Sequence, residues 1–236
     1  MAYANIGSPG AGPHLATISH GPYPVSSWRL VSCTSVGVGV RKAIEFFFDV
    51  GSPAAYLAWT QLPRLAADAG AAIRWRPMLL GGVFKATGNS SPVTIPAKGL
   101  WLINDLKRWA DRYGVPLQLP ADFPINTLTL MRGAAGIQLY QPEDLARYLE
   151  AIFNGVFAQG LAMGDPAVVA RVLIKANFDP AHILNLTGDP LVKQALVATT
   201  EEAVARGVFG APSMFVGEEM HFGQDRLEFV AAALRA

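Results

Sequence analysis

Cysteine is nearly absent: Cys33 is the only one among 236 residues. A single thiol can neither close an internal disulfide nor run a two-thiol exchange centre, so nothing here needs an oxidising compartment and a cytoplasmic protein is expected. Histidine is also scarce, and the four present, His14, His20, His182 and His221, form no pair at metal-ligand spacing with each other or with Cys33. Those positions give no triad spacing and no Gly-x-Ser-x-Gly elbow is found, which leaves hydrolase chemistry without support. Charged residues make up 16% of the chain, the formal net charge is +1, and no dense Lys or Arg run exists to attract nucleic acid or an anionic bilayer. Apolar runs all fall short of the roughly 18 residues of a membrane span. Small molecules, or a second copy of the chain in a homodimer, are the expected partners, with no nucleic acid, membrane or metal.

Apolar residues are plentiful, at 51%, enough for one large domain or for a small domain carrying a sizeable insertion. Residues 1–42 stand apart. The stretches Gly7 to Pro13 and His20 to Pro24 are rich in turn residues, and Leu30 to Val40 shows no helical face. This tail is expected to be disordered or to precede the true start, with translation beginning near Val38 or Val40. It lacks the basic start and uninterrupted apolar stretch of an export signal.

After the tail, Ile44 to Val50 reads as a short buried strand rich in Phe. Ser52 can cap the helix that follows, and Pro53 suits its first position. That helix runs to Gly70, and Ile73 to Met78 reads as a second strand, parallel to the first through a right-handed crossover. From 79 to 206 the pattern is helical: 99–113, 126–140, 143–157, 165–175, 181–186 and 189–206, with Asp-Pro starts at Asp165 and Asp189. Strands return at Ser213 to Val216 and Met220 to Phe222, joined as a hairpin, before a helix capped by Asp225.

The order β-α-β, helices, β-β-α is that of an α/β, thioredoxin-like domain built from 43–78 and 207–236, interrupted by an all-helical insertion over 79–206. Gly210-Ala211-Pro212 ahead of a strand is the setting in which that fold carries a cis-proline beside its first helix. A disulfide oxidoreductase has Cys-x-x-Cys at that helix start, whereas Ser52-Pro53-Ala54-Ala55 stands here, so disulfide exchange is excluded. A helix N-terminus still favours an anion, and a thiolate supplied from outside is the natural one, with the Ser52 hydroxyl as its hydrogen-bond donor. The alternative is that Ser52 only caps its helix.

These segments, together with Gly88-Asn89, Ile95-Pro96-Ala97-Lys98-Gly99-Leu100, Asn104-Asp105-Leu106 and Phe222-Gly223-Gln224-Asp225-Arg226, resemble the 2-hydroxychromene-2-carboxylate isomerase family from about residue 43 onward. That family is close to the kappa-class glutathione transferases and shares the DsbA architecture. The resemblance implies glutathione as cofactor. It places Ser52 beside the cofactor sulfur, Ala211 with Pro212 against the cysteinyl part, Asn89 and Lys98 in contact with the peptide, and Asp225 with Gln224 at the γ-glutamyl end.

It further implies glutathione-dependent cis-trans isomerisation of 2-hydroxychromene-2-carboxylate and trans-o-hydroxybenzylidenepyruvate, or of a related aromatic keto acid, in aromatic compound degradation. A kappa-like transferase conjugating electrophiles and a non-catalytic glutathione-binding protein are the alternatives. Gly51, Ala54 and Ala55 depart from the bulkier residues common in the family, which bears on the substrate. Phe84, Trp101, Phe153 and Phe157 are candidates to close its pocket, or else ordinary core aromatics.

Overall fold

The Phe-rich run Ala43–Phe48 forms strand β1, whose side chains alternate between two buried faces. The computed structural model of the protein describes residues 42–236. Apart from Lys42, the expected disordered tail lies outside them. Strand β2, Ala72–Pro77, pairs parallel with β1, as the crossover predicts. On the other side β1 pairs antiparallel with β3, Ser213–Val216, which continues through a hairpin into β4, Glu219–Phe222. The sheet order is therefore β2-β1-β3-β4, drawn from both ends of the described chain. The hairpin turn is Gly217-Glu218, and Gly217, at φ 60°, takes the first central position that such turns reserve for glycine.

One face of the sheet carries Ile44, Phe46, Phe48 and Met214. It packs under helix α1, Pro53–Asp68, and the C-terminal helix α9, Leu227–Arg235. Phe47 and Phe215 lie on the opposite face in a second apolar cluster with Val83 of α2, Leu80–Thr87, and Ala203 of α8, Pro190–Ala205. Each fully buried Phe contributes about 1.5–3 kcal/mol of burial free energy. Glu45 shares this second face and holds Arg76 and Arg206, while Glu202 on α8 accepts from Arg76; the Arg206 guanidinium stacks 3.8 Å over the Phe215 ring.

Between α2 and α8 run α3 (Pro96–Tyr113), α4 (Leu128–Tyr140), α5 (Leu145–Phe153), α6 (Pro166–Lys175) and α7 (Pro180–Gly188). Acid-proline starts organise the last helices: Asp165, Asp179 and Asp189 accept from Ala167, Ala181 and Leu191 amides at 2.8, 2.9 and 2.7 Å. Asp179 extends the helix read from Ala181. Helix α2 was not expected, because Gly81-Gly82 inside it look like breakers. The predicted cap at Asp225 is absent. A 3₁₀ turn, Gln224–Arg226, precedes α9, and the Asp225 carboxylate turns instead to Arg226 at 2.5 Å. None of the described helices is long and apolar enough to cross a membrane.

Candidate active site

The chain leaves β1 at Phe48, turns through Asp49 to Gly51, and enters α1 at Ser52. Ser52 is extended at φ −95°, ψ 113°, and its amide donates to the Asp49 carbonyl at 3.0 Å. Its hydroxyl accepts from the Ala55 amide at 3.1 Å, closing the helix start, and donates to the Ala211 carbonyl at 3.0 Å. The side chain is thus cap and bridge together. Pro53 brings no N–H, and the Ser52 carbonyl takes the Tyr56 amide at 3.0 Å. Ala54 is left with the amide of this turn that has no acceptor among the described residues.

Beneath the turn lies Asp49, 1% exposed. Its Oδ1 accepts from the Gly51 amide at 2.9 Å, and its Oδ2 accepts from the Leu80 amide at 2.8 Å and the Thr127 hydroxyl at 3.1 Å. One carboxyl therefore joins the Ser52 loop, the start of α2 and the approach to α4. Burial pushes its pKa above the ordinary range, against the pull of these donors. From the sequence Asp49 has no assigned role, although an acid closing an apolar strand just before Gly-Ser-Pro is a usable signal.

Opposite Ser52, the Ala211–Pro212 peptide is cis, as Gly-x-Pro predicts. Several bonds brace this loop. Ser213 Oγ donates to the Gly210 carbonyl at 2.9 Å, and the Gly223 amide to the Pro212 carbonyl at 3.0 Å. Asn89 Nδ2, arriving from the end of α2, donates to the Phe209 carbonyl at 2.8 Å. A Cβ at Gly210 would stand 2.8 Å from the Phe222 ring, so glycine lets that ring lie close over the loop. The Ala211 amide has no acceptor among the described residues and remains available to a ligand.

These elements border a cleft of about 690 Å³. Ser52, Asn89, Ala211, Pro212, Gln224 and Asp225 all line it, so these sequence candidates come together. Lys98 does not: it is exposed on the first turn of α3, outside the lining. Gln224 is held by its backbone, whose carbonyl accepts from the Tyr113 hydroxyl at 2.7 Å. Burial, reinforced by the Asp225 charge, pushes the Tyr113 phenol up to about 12.

Of the aromatic candidates, Phe84 and Trp101 line the cleft, whereas Phe153 and Phe157 are fully buried in the core against Tyr56. Their place on the buried side of α5 and of the π turn after it, Asn154–Ala158, makes these two the ordinary core aromatics that the sequence offered as the other reading. Phe123, Pro124 and Ile125 complete the wall from a loop whose residues carried no signal in the sequence.

The profile of the DSBA-like thioredoxin domain matches residues 43–235. The chain belongs to the DSBA-like thioredoxin family. Within it, a 2-hydroxychromene-2-carboxylate isomerase from Pseudomonas putida is 33% identical over 193 residues, covering 81% of this chain and 93% of that one. Human glutathione S-transferase kappa 1 is 30% identical over 82% of this chain and 91% of its own. The solved structure of a 2-hydroxychromene-2-carboxylate isomerase superposes with TM-score 0.73 at 33% identity, covering 82% of this chain and 94% of its own. A chain from Streptomyces coelicolor named a probable DsbA oxidoreductase, at 17% identity and TM-score 0.63 over 82% of this chain and 88% of its own, shares the fold. The DSBA-like chain described here thus groups with isomerases and glutathione transferases, and Ser52 opens its α1.

Proposed function

We propose that the protein is a glutathione-dependent cis-trans isomerase acting on an aromatic carbonyl compound with a conjugated alkene, as in the 2-hydroxychromene-2-carboxylate reaction or a close variant of it. One observation carries the reading: the Ser52 hydroxyl and the free amides of Ala54 and Ala211 stand on the wall of a cleft that also carries the apolar side chains of Leu80, Phe84 and Trp101. Glutathione, when bound, supplies a thiolate that can add to a conjugated alkene and leave again after bond rotation, so that no net redox change occurs. The chain's own groups fit such a peptide. The Ala211 amide and carbonyl are backbone partners for the cysteinyl unit, and Asp225, also on the wall, offers a carboxylate to an ammonium.

Ser52 would turn its proton from the Ala211 carbonyl toward the sulfur. The Ala54 amide and the positive end of α1 would favour the ionised form. Apolar walls from Leu80, Phe84 and Trp101 would hold the ring system and keep water from the reacting carbons. Relatives named as glutathione transferases support the cofactor. A cytoplasmic setting, where the glutathione pool is kept reduced, suits it as well.

The test follows a cis aryl enone with protein and reduced glutathione, reading both isomer ratio and free thiol. Trans product with the thiol titre unchanged supports isomerisation. Accumulating thioether would mark a transferase, and glutathione binding without turnover of any enone would mark a binding protein.

A further inference from the structure

Acid lines the cleft, and base does not. Among the described residues on its wall, the ionisable side chains are Asp49, Asp105 and Asp225, with no Lys, Arg or His. Two arginines nearby are turned toward these acids rather than into the cleft. Arg108 lies 3.7 Å from Asp105 and Arg226 2.5 Å from Asp225, and neither arginine is part of the lining. The helix start adds little for a second anion, since the Ala55 and Tyr56 amides are taken by Ser52 and only that of Ala54 remains for the thiolate. The Thr127 hydroxyl, also on the wall, already gives its proton to Asp49.

The apolar part of the wall comes from Leu80, Phe84, Trp101, Leu102, Phe123 and Ile125. Leu80, Phe84 and Trp101 belong to neither buried core, so their apolar surface is presented to the cleft. Trp101, 62% exposed, and the partly exposed Phe209 and Phe222 add further apolar surface to the lining. A carboxylate set against these apolar side chains would give up its hydration with no cation to replace it, in a cleft that already holds Asp105 and would hold a thiolate. An uncharged ketone or aldehyde would give up far less.

We infer that the cleft selects an uncharged conjugated electrophile, an aryl enone or enal, over the carboxylated compounds after which its isomerase relatives are named. This inference rests on the glutathione reading above. Binding tests it without turnover, by calorimetric titration with S-benzylglutathione and S-(4-carboxybenzyl)glutathione, which differ only in the para substituent of the ring. The benzyl form should bind at least about tenfold tighter, the effect of roughly one like-charge contact in a partly desolvated site. In Leu80→Lys, which adds an ammonium to the wall, the gap should narrow. Equal or tighter binding of the carboxybenzyl form by the unaltered protein, or an unchanged gap in Leu80→Lys, overturns the inference and leaves the glutathione reading standing. Binding of neither compound overturns both.

Discussion

The Ser52 hydroxyl donates to the Ala211 carbonyl at 3.0 Å, tying the start of α1 to the residue before the cis-proline, 159 positions later. Helix start and proline loop are thereby fixed as the two jaws of one cleft. The same hydroxyl is the donor that a bound sulfur would claim.

Ser52→Ala removes the bridge and the cap together. Losing the cap costs about 1 kcal/mol of stability, seen as a lower denaturant midpoint. Turnover should fall by about a hundredfold, the usual effect of deleting one preorganised donor, and the ionisation of bound glutathione, followed by thiolate absorbance, should move to higher pH. Unchanged kinetics would remove Ser52 from the mechanism.

Asp49 is held above its ordinary pKa by burial. Because the folded state keeps this proton more tightly than the unfolded chain does, stability falls as pH rises from the unfolded value through the raised folded one, and then levels off. Asp49→Asn removes that dependence. It also sets an amide NH₂ against one of the groups that now donate to the carboxylate, costing about 1–3 kcal/mol. Urea unfolding of both proteins across the acid range checks the slope and the offset.

Tyr113 anchors the Gly223 to Asp225 turn through its bond to the Gln224 carbonyl. In Tyr113→Phe that bond is lost, for about 1 kcal/mol of stability and a two- to tenfold weaker hold on glutathione. Calorimetry should show the loss in affinity while the rate at saturation changes little, since the phenol touches no reacting atom.

Gly133 on α4 lies against the Tyr148 hydroxyl, which donates to the Leu130 carbonyl at 2.9 Å, and a Cβ at 133 would occupy the hydroxyl's place. Gly133→Ala should destabilise by about 1–3 kcal/mol through overpacking. Adding Tyr148→Phe should recover part of the loss, a non-additivity that a double-mutant cycle of unfolding free energies measures directly.

Local chemistry made much of this legible beforehand. A short, Phe-rich apolar run marked β1, Ser52-Pro53, Asp165-Pro166 and Asp189-Pro190 marked helix starts, and Gly210-Ala211-Pro212 marked the cis bond. What stayed hidden depended on contacts across the chain. Asp49 looks like any acid after a strand until Leu80 and Thr127 arrive to donate to it. Helix α2 was masked by Gly81-Gly82, whose helical state rests on packing against α8. Phe153 and Phe157 could not be told from Phe84 and Trp101 by residue type, because orientation decides which aromatic meets the cleft.

Whether this cleft binds reduced glutathione is decided by isothermal titration of glutathione into the full chain, with Asp225→Ala alongside. Saturable binding, weakened by about tenfold in the variant through loss of one charge-assisted contact while its unfolding midpoint holds, is the predicted result. No binding heat at roughly millimolar glutathione, about −4 kcal/mol of affinity, would contradict the account.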